Sequence, residues 1–351
     1  MMKKLSIAVF FGGRSSEYKV SLESAYSVIR NLDSEKYRAV PIGISPDGRW
    51  YYYTGNIEKI YKDQWLNGED CIPAALSPDF GARTLLIFRG ERMEKLFLDA
   101  ALPVMHGKYG EDGCIQGLLE LTGIPLIGCS VLASALCMDK DRAHKLAYLA
   151  GIDVPKAFTV CSSYDKEVLL EEAKRIGYPL FVKPVKAGSS FGITKVLRES
   201  DLAAAAACAF GYDGEGSIEE IIPGFDVVCA IMGTDRLTVG EVDEIELSGG
   251  FFDYTEKYTL KTSAIHVPAR IDKATAGRIK ETAVTLYRAL GCSGFARVDM
   301  FLTPEGRIVF NEINTIPGFT EHSRFPGMMK AAGILFPQIL DTIIGQAVMS
   351  K

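Results

Sequence analysis

Residues 5–11, Leu-Ser-Ile-Ala-Val-Phe-Phe, form an almost uninterrupted apolar run that stops at Gly12-Gly13. A run this short cannot span a bilayer and suits a strand buried on both faces. Beyond the glycines, residues 21–32 carry apolar side chains at helical spacing. Strand, glycine turn and helix in that order open an α/β unit, which binds its ligands at the carboxyl ends of its strands.

The rest of the chain reads as two further units. In the first segment, residues 40–44 and 100–105 are expected strands, residues 116–122 a helix and residues 124–127 extended. Residues 50–79 are polar and aromatic and read as irregular elaboration. From Asp139 onward, residues 140–150 predict a helix closed by Gly151, a suitable C-cap. Strands over 158–160 and 180–182 flank a helix over 166–176. Residues 185–192 are rich in glycine and serine, and 201–209 form an alanine-rich helix. From Gly214, residues 217–222 and 227–232 read as neighbouring strands, continued by 240–252. A long loop over 253–265, a helix over 273–290, a hairpin over 295–314 and a helix over 327–344 complete the chain. The expected division is 1–138, 139–213 and 214–351, with no internal repeat.

Composition narrows the class. A length of 351 residues exceeds one ordinary domain, and 48% hydrophobic with 24% charged residues excludes a disordered chain, a collagen-like fibre or a coiled coil. The 39 basic and 44 acidic residues leave a net charge of −5, which argues against nucleic acid as a partner. The eight cysteines form no C-x-x-C pair and sit among apolar neighbours. They are expected to be reduced, mostly buried thiols of a reducing cytosol. Met1-Met2-Lys3-Lys4 followed by an apolar run superficially resembles a signal peptide, but a small-residue cleavage site is missing. The expectation is a cytoplasmic protein with no membrane partner.

Three constellations carry chemistry. Arg297 and Asp299 are two residues apart, as are Glu312 and Asn314. Alternate strand residues share a face, so a hairpin turning at Thr303-Pro304-Glu305-Gly306 brings all four onto one surface. Asp, Glu and Asn offer the hard oxygen ligands that suit Mg²⁺, and an arginine beside them suits a transferring phosphoryl group. The bland alternative is a solvated face with cross-strand ion pairs. Second, Lys183 ends an apolar strand just before Gly188-Ser189-Ser190-Phe191-Gly192, and Lys140 follows Met138-Asp139. Such a loop can cradle phosphate, though it is not a P-loop; the bland alternatives are a plain flexible turn and, for Lys140 taken alone, an ordinary surface lysine. Third, Glu17 in the first loop could pair with a substrate ammonium or simply begin a helix, and His106 could be a site donor or a loop histidine.

In order along the chain stand Gly12-Gly13-Arg14-Ser15-Ser16-Glu17 with Val20-Ser21, His106-Gly107 with Gly110-Glu111-Asp112-Gly113, and Met138-Asp139-Lys140. Val182-Lys183-Pro184, Gly188-Ser189-Ser190 and Glu256-Lys257-Tyr258 follow. Arg297-Val298-Asp299, Asn311-Glu312-Ile313-Asn314-Thr315 and Pro317-Gly318 complete the set. This ordered set resembles the D-alanine–D-alanine ligase family of the ATP-grasp superfamily over almost the whole chain. The resemblance implies a mixed α/β and α+β, three-domain ATP-grasp fold with a Rossmann-like N-terminal domain. It implies ATP-dependent joining of two D-amino acids through a D-alanyl phosphate, as a homodimer. ATP and two Mg²⁺ ions, which Mn²⁺ can replace, are the implied cofactors.

By that resemblance Lys140 and Lys183 contact the nucleotide phosphates, and Asp299, Glu312 and Asn314 hold the metal ions. Arg297 and the backbone N–H of Gly318 stabilise the tetrahedral intermediate. Glu17 holds the ammonium of the first D-alanine, and Ser189 and Tyr258 link to it. Lys257 lies on the same lid, near 243–260. Glu219 and Glu220 meet the adenine, and Asp226 stands where the family usually has a ribose-binding glutamate. Ser323 and His106 belong to substrate binding. Arg324 replaces an apolar residue usual in the D-alanine ligases, and with Phe252 it is similar to the D-alanine–D-serine ligases of vancomycin-resistance type. An arginine could hydrogen-bond the serine hydroxyl, or instead pair with Asp243 or Glu244. D-lactate-type ligases generally lack the lid tyrosine, so Tyr258 argues against a depsipeptide product. The remaining competitor is a housekeeping D-alanine–D-alanine ligase. A nicotinamide-dependent oxidoreductase is disfavoured by the missing G-x-G-x-x-G. A non-catalytic binder would have no reason to keep the metal ligands.

Overall fold

The computed structural model describes residues 3–66, 68–247 and 263–349, arranged around three sheets. The first contains β1 (Leu5–Gly12), β2 (Tyr37–Ile44), β3 (Trp50–Tyr53), β4 (Cys71–Leu76), β5 (Thr84–Arg89), β6 (Arg92–Phe97) and β7 (Ala100–Pro103), in the order β6-β5-β4-β3-β2-β1-β7. β1 runs parallel to β2 and β7, so the loops carrying Glu17 and His106 leave neighbouring carboxyl ends. The alternation along β1 explains its unbroken apolar run. Ile7, Val9 and Phe11 enter one core and Ala8 and Phe10 another, so both faces are covered.

Residues 50–79 are more regular than expected. β3 pairs antiparallel with β2 and β4 antiparallel with β3, extending the first sheet, with the short helix Glu58–Tyr61 between them. Their aromatic residues have a packing role: Trp65 is fully buried and meets Phe11, Tyr51 and Tyr53 edge-on.

β8 (Ala157–Cys161), β9 (Leu180–Pro184), β10 (Thr194–Val196) and β11 (Glu215–Glu220) form the second sheet, in the order β10-β9-β11-β8. The third holds β12 (Phe225–Met232), β13 (Thr238–Val239), β14 (Asp243–Leu247), β15 (Ser263–His266), β16 (Phe295–Leu302) and β17 (Ile308–Asn314). The expected neighbours at 217–222 and 227–232 therefore belong to different sheets. β11 pairs with β9 and β8, and β12 pairs with β16, β14 and β13. Pattern alone identifies a strand but not its partner, and the Pro223-Gly224 turn between these two carries the chain from one sheet to the next.

The hairpin β16–β17 forms as its spacing predicts, with the expected turn: Gly306 N–H donates to Thr303 O at 2.9 Å. The expected helix over 327–344 is two helices, Arg324–Ala331 and Phe336–Met349, bent by 100° about Gly333 with φ 87°. The second buries Phe336, Ile339, Leu340, Ile343 and Ile344 against the first sheet's core. No single described helix is long and apolar enough to cross a membrane. All eight cysteines are free, but only Cys129, Cys137, Cys229 and Cys292 are buried. The expectation of mostly buried thiols therefore holds for half of them.

Candidate active site

The three sheets meet at a cavity of about 810 Å³. Fifteen residues named from sequence line it: Glu17, His106, Lys140, Lys183, Ser189, Glu219, Glu220, Asp226, Arg297, Asp299, Glu312, Asn314, Gly318, Ser323 and Arg324. Phe252, Lys257 and Tyr258, with most of the expected loop over 253–265, lie outside the described residues.

The hairpin wall follows from register. Arg297 sits opposite Asn314 and Asp299 opposite Glu312, so the two i, i+2 pairs share one face. Just beyond Asp299 the register shifts, and Asn311 is the extra residue on β17. His144 holds this irregularity through a 2.8 Å contact between Nε2 and the Asn311 carbonyl. On this face Asp299 is buried and Arg297, Glu312 and Asn314 are half-buried, and the ion pair runs along β16 instead of across the hairpin. Arg297 donates through Nε to Asp299 Oδ1 at 2.8 Å and through Nη2 to Oδ2 at 2.7 Å. Burial disfavours the guanidinium charge, but the Asp299 carboxylate outweighs burial and holds Arg297 above its ordinary pKa.

Asp299, Glu312 and Asn314 supply two carboxylates and an amide, all hard donors. Among the described residues no three His, Cys, Asp or Glu side chains gather into a metal-binding group. The set therefore does not cage an ion alone. It fits a cation that takes its remaining ligands from phosphates and water, which is the habit of Mg²⁺.

Both lysines are buried, contrary to the surface alternative for Lys140. Lys140 Nζ donates to the Ala187 carbonyl at 2.7 Å and lies 3.6 Å from Glu312 Oε2. Lys183 Nζ lies 2.5 Å from Glu219 Oε2, while Ser217 Oγ donates to Glu219 Oε1 at 2.8 Å. Burial acts to raise the Glu219 pKa, yet Lys183, His144 and Ser217 together hold it below the ordinary value. Glu219 thus stays ionised in a buried place. Glu220 Oε1 accepts from Lys156 N–H at 2.9 Å, at the rim of the cavity.

Glu17 opens the helix Tyr18–Asn31 and is itself buried. Ser189 Oγ donates to Glu17 Oε1, joining the first sheet's loop to the loop after β9. Ser189 and Ser190 both adopt left-handed backbone, with φ 50° and 59°. Consecutive non-glycine residues there store strain, which tends to gather at working sites. Two glycines admit the Glu17 carboxylate. A Cβ at Gly107 (φ 71°) would lie 2.4 Å from Oε2, and one at Gly188 would lie 2.8 Å from it.

At the far end, Arg324 donates to Asp243 Oδ2 through Nε at 2.8 Å and to Oδ1 through Nη2. Of the two acids weighed from sequence, Asp243 is the partner. Glu244 pairs instead with Arg270, at 2.6 Å from Nη2. Asp243 is fully buried, and burial raises its pKa in spite of Arg324. Ser323 Oγ accepts from Thr320 N–H at 3.1 Å and lies beside Gly318.

His106 has both ring nitrogens engaged, with Ser24 Oγ at 2.9 Å from Nε2 and the Ile316 carbonyl at 2.8 Å from Nδ1. Sequence reasoning did not single out Ser24, Glu111 or His144 as individual residues. The G-E-D-G run around Glu111 was the available signal; Ser24 and His144 offer none beyond ordinary helical positions.

A family model described as the D-ala D-ala ligase N-terminus matches residues 6–129, and one described as its C-terminus matches residues 148–345. A putative D-alanine–D-lactate ligase of Streptomyces coelicolor is 45% identical, covering 100% of this chain and 99% of the relative. The vancomycin C-type resistance protein VanC1 of Enterococcus gallinarum is 44% identical, with 100% of both chains covered. The crystal structure of the VanG D-Ala:D-Ser ligase of Enterococcus faecalis superposes with a TM-score of 0.91 at 54% identity, covering 98% of this chain and 100% of that one. A D-alanine–D-alanine ligase of Bacillus anthracis, crystallised with ATP, superposes with a TM-score of 0.74 at 29% identity, covering 98% and 97%. The chain belongs to the D-alanine–D-alanine ligase family, whose members are ATP-dependent carboxylate–amine ligases.

Proposed function

We propose that this ligase joins D-alanine to D-serine, making the altered peptidoglycan precursor of glycopeptide resistance. The observation that carries this reading is Arg324. It stands on the cavity wall beside Ser323, oriented by two bonds to a fully buried Asp243. A pre-oriented cationic donor suits a hydroxyl-bearing second substrate better than a methyl group. The likeness to VanG, a D-Ala:D-Ser ligase, supports it. The likeness to a putative D-lactate ligase is weighed against Tyr258, which D-lactate-type ligases generally lack.

In this reading Lys140 and Lys183 grip the phosphates of ATP, Glu219 and Glu220 meet the adenine, and Asp226 lies near the ribose. Asp299, Glu312 and Asn314 would hold Mg²⁺, which neutralises phosphate charge when bound. Glu17, supported by Ser189, takes the ammonium of the first D-alanine and aims its carboxylate at the γ-phosphate. Phosphorylation turns a poor electrophile into an acyl phosphate. The D-serine amine then forms the C–N bond and gives up a proton, and the C–O bond to phosphate breaks. Arg297 and the Gly318 N–H face the oxyanion formed between those events. Lys257 and Tyr258, on the lid, would keep water from the acyl phosphate, and Phe252 would border the second substrate. By family resemblance the enzyme works in the cytoplasm as a homodimer, with one unit for substrate and two for the nucleotide.

The test is ADP release with ATP and Mg²⁺, with products identified by mass. D-Alanine alone, D-alanine with D-serine, and D-alanine with D-lactate are compared. A dominant D-Ala–D-Ser product is expected. Equal or better D-Ala–D-Ala synthesis would overturn the D-serine assignment and leave a housekeeping ligase.

A further inference from the structure

Behind Gly318 runs a chain of buried polar side chains that the proposed mechanism does not use. Glu111 accepts two backbone N–H groups, from Gly107 at 2.7 Å on Oε2 and from Ile316 at 3.2 Å on Oε1. The Ile316 carbonyl is held in turn by His106 Nδ1. A carbonyl can only accept, so Nδ1 carries the proton and Nε2 accepts from the Ser24 hydroxyl. Ser24 Oγ then accepts the Phe319 N–H at 3.4 Å. Ser24 is fully buried, and His106 and Glu111 are nearly so. Both polar groups of Ile316 and the N–H of Phe319 are therefore tied to the first sheet's helix and loop, two residues before Gly318 and one after it.

We propose that Glu111 is a positioning residue that, with His106 and Ser24, fixes residues 316–319 so that the Gly318 N–H meets the oxyanion of the amide-forming step. The proposal rests on the function assigned above, and in particular on Gly318 as oxyanion donor. Its consequence is selective. Phosphoryl transfer to D-alanine creates no tetrahedral carbon and needs no donor at that place. Attack of the second amine does. A displacement of about 1 Å in such a group can cost about 10²-fold in rate.

The decisive variant is Glu111→Gln, which keeps the volume but turns an amide N–H₂ toward one of the two backbone donors. Two reactions are compared in the full-length enzyme, above pH 8 so that Glu111 is the carboxylate. Positional isotope exchange within ATP, with D-alanine as the only amino acid, reports phosphoryl transfer; dipeptide formation reports both steps. The expected result is a fall of about 10²-fold in kcat for dipeptide formation, with exchange and both KM values within about twofold of wild type. Ser24→Ala should show the same pattern more weakly. Equal loss of exchange and synthesis, or an unaffected Glu111→Gln, would overturn the proposal. Amide hydrogen exchange at Ile316 and Gly318 gives an answer that does not depend on turnover. Faster exchange in Glu111→Gln is expected, and wild-type protection there also overturns the clamp. Wild-type protein that forms no dipeptide defeats the assigned function instead, and the clamp is then judged on the amide exchange alone.

Discussion

Replacing Arg324 by leucine removes one partner of a largely buried ion pair and tests stability and specificity together. Asp243 has no exposed surface, and Arg324 is only 11% exposed. The lost interaction is bidentate, and each charge-assisted hydrogen bond is worth about 1.5–3 kcal/mol. Breaking a buried pair from one side costs about 3–5 kcal/mol, because the stranded carboxylate must stay charged without a partner or take up a proton. A small gain opposes this. Arg324 begins the helix Arg324–Ala331, where a cation faces the positive end of the helix dipole, and its removal returns about 0.3–1 kcal/mol. The net expectation is about 2–4 kcal/mol lost in urea unfolding near pH 7.5, taking the lower part of that range after the dipole gain.

Acidity should modulate the loss in a defined direction. Burial already raises the Asp243 pKa above its unfolded value, and losing Arg324 raises it further. The folded variant then holds a proton that the unfolded chain has released. Its stability falls as pH rises from 3.8 through the folded pKa, so its gap from wild type is smallest in acid. Replacing both residues, as Asp243→Leu with Arg324→Leu, removes the stranded charge and should recover most of the stability. The same variants enter a competition between equimolar D-serine and D-alanine, with dipeptides counted by mass. Without the arginine the pocket discriminates only as an apolar one does, by about 10²-fold rather than about 10⁴-fold. An unchanged product ratio would refute the role of Arg324. A double variant as unstable as the single one would refute the stranded-charge account.

Gly188→Ala should raise the KM for the first D-alanine roughly tenfold, about 1.4 kcal/mol, since its Cβ would sit 2.8 Å from Glu17 Oε2; unchanged steady-state kinetics would contradict that contact. Among the thiols, Cys161 should be alkylated first by iodoacetamide, as read by mass spectrometry. It is exposed, and hydrogen bonds from Ser163 hold it below the ordinary thiol value. Exposed Cys114 should lag because partial burial and Asp112 push it up, and Cys229, pushed by burial up to about 12, should react only after unfolding. Burial, with the Glu17 carboxylate, pushes Glu111 up to about 8, while the N–H groups of Gly107 and Ile316 and the charge of Arg297 act the other way; neighbouring His106 is driven toward its neutral form by burial. The folded state then binds the extra proton between pH 4.5 and about 8, so wild-type stability relative to Glu111→Gln should fall as pH rises across that window. Parallel melting curves for the two proteins would contradict it.

What was legible in the sequence was local. The spacing of Arg297, Asp299, Glu312 and Asn314 required only the two-residue period of a strand and a turn, and the observed register joins the pairs opposite one another. The apolar run at residues 5–11 needed only its own pattern. The misjudged parts depended on distant partners. β11 and β12 are adjacent in sequence yet lie in different sheets, and no feature of either strand names its neighbour. Residues 50–79 looked irregular because their aromatic residues are packed by Trp65 against β1, far away in the chain.

The same division runs through the site. Most of its charged residues come from short motifs, but the arrangement that makes them useful is built by contacts between units. Ser189 reaches Glu17 across 172 positions, Lys140 reaches Glu312 from the start of one helix to the end of a hairpin, and His106 reaches Ile316 across 210. Two join loops of different sheets and the third joins a helix to a strand, and each lies against the cavity. The helix Phe336–Met349 shares the first sheet's core and meets, through Phe336 against Phe319, the segment that carries Gly318 and Ser323. Lys36 and Tyr37 fasten that helix through Asp341, at 2.9 and 2.5 Å. Motifs can therefore be intact while geometry is lost. A change at the Asp341 contacts is expected to reach residues 316–319 through Phe336, whose ring meets Phe319 at 5.4 Å.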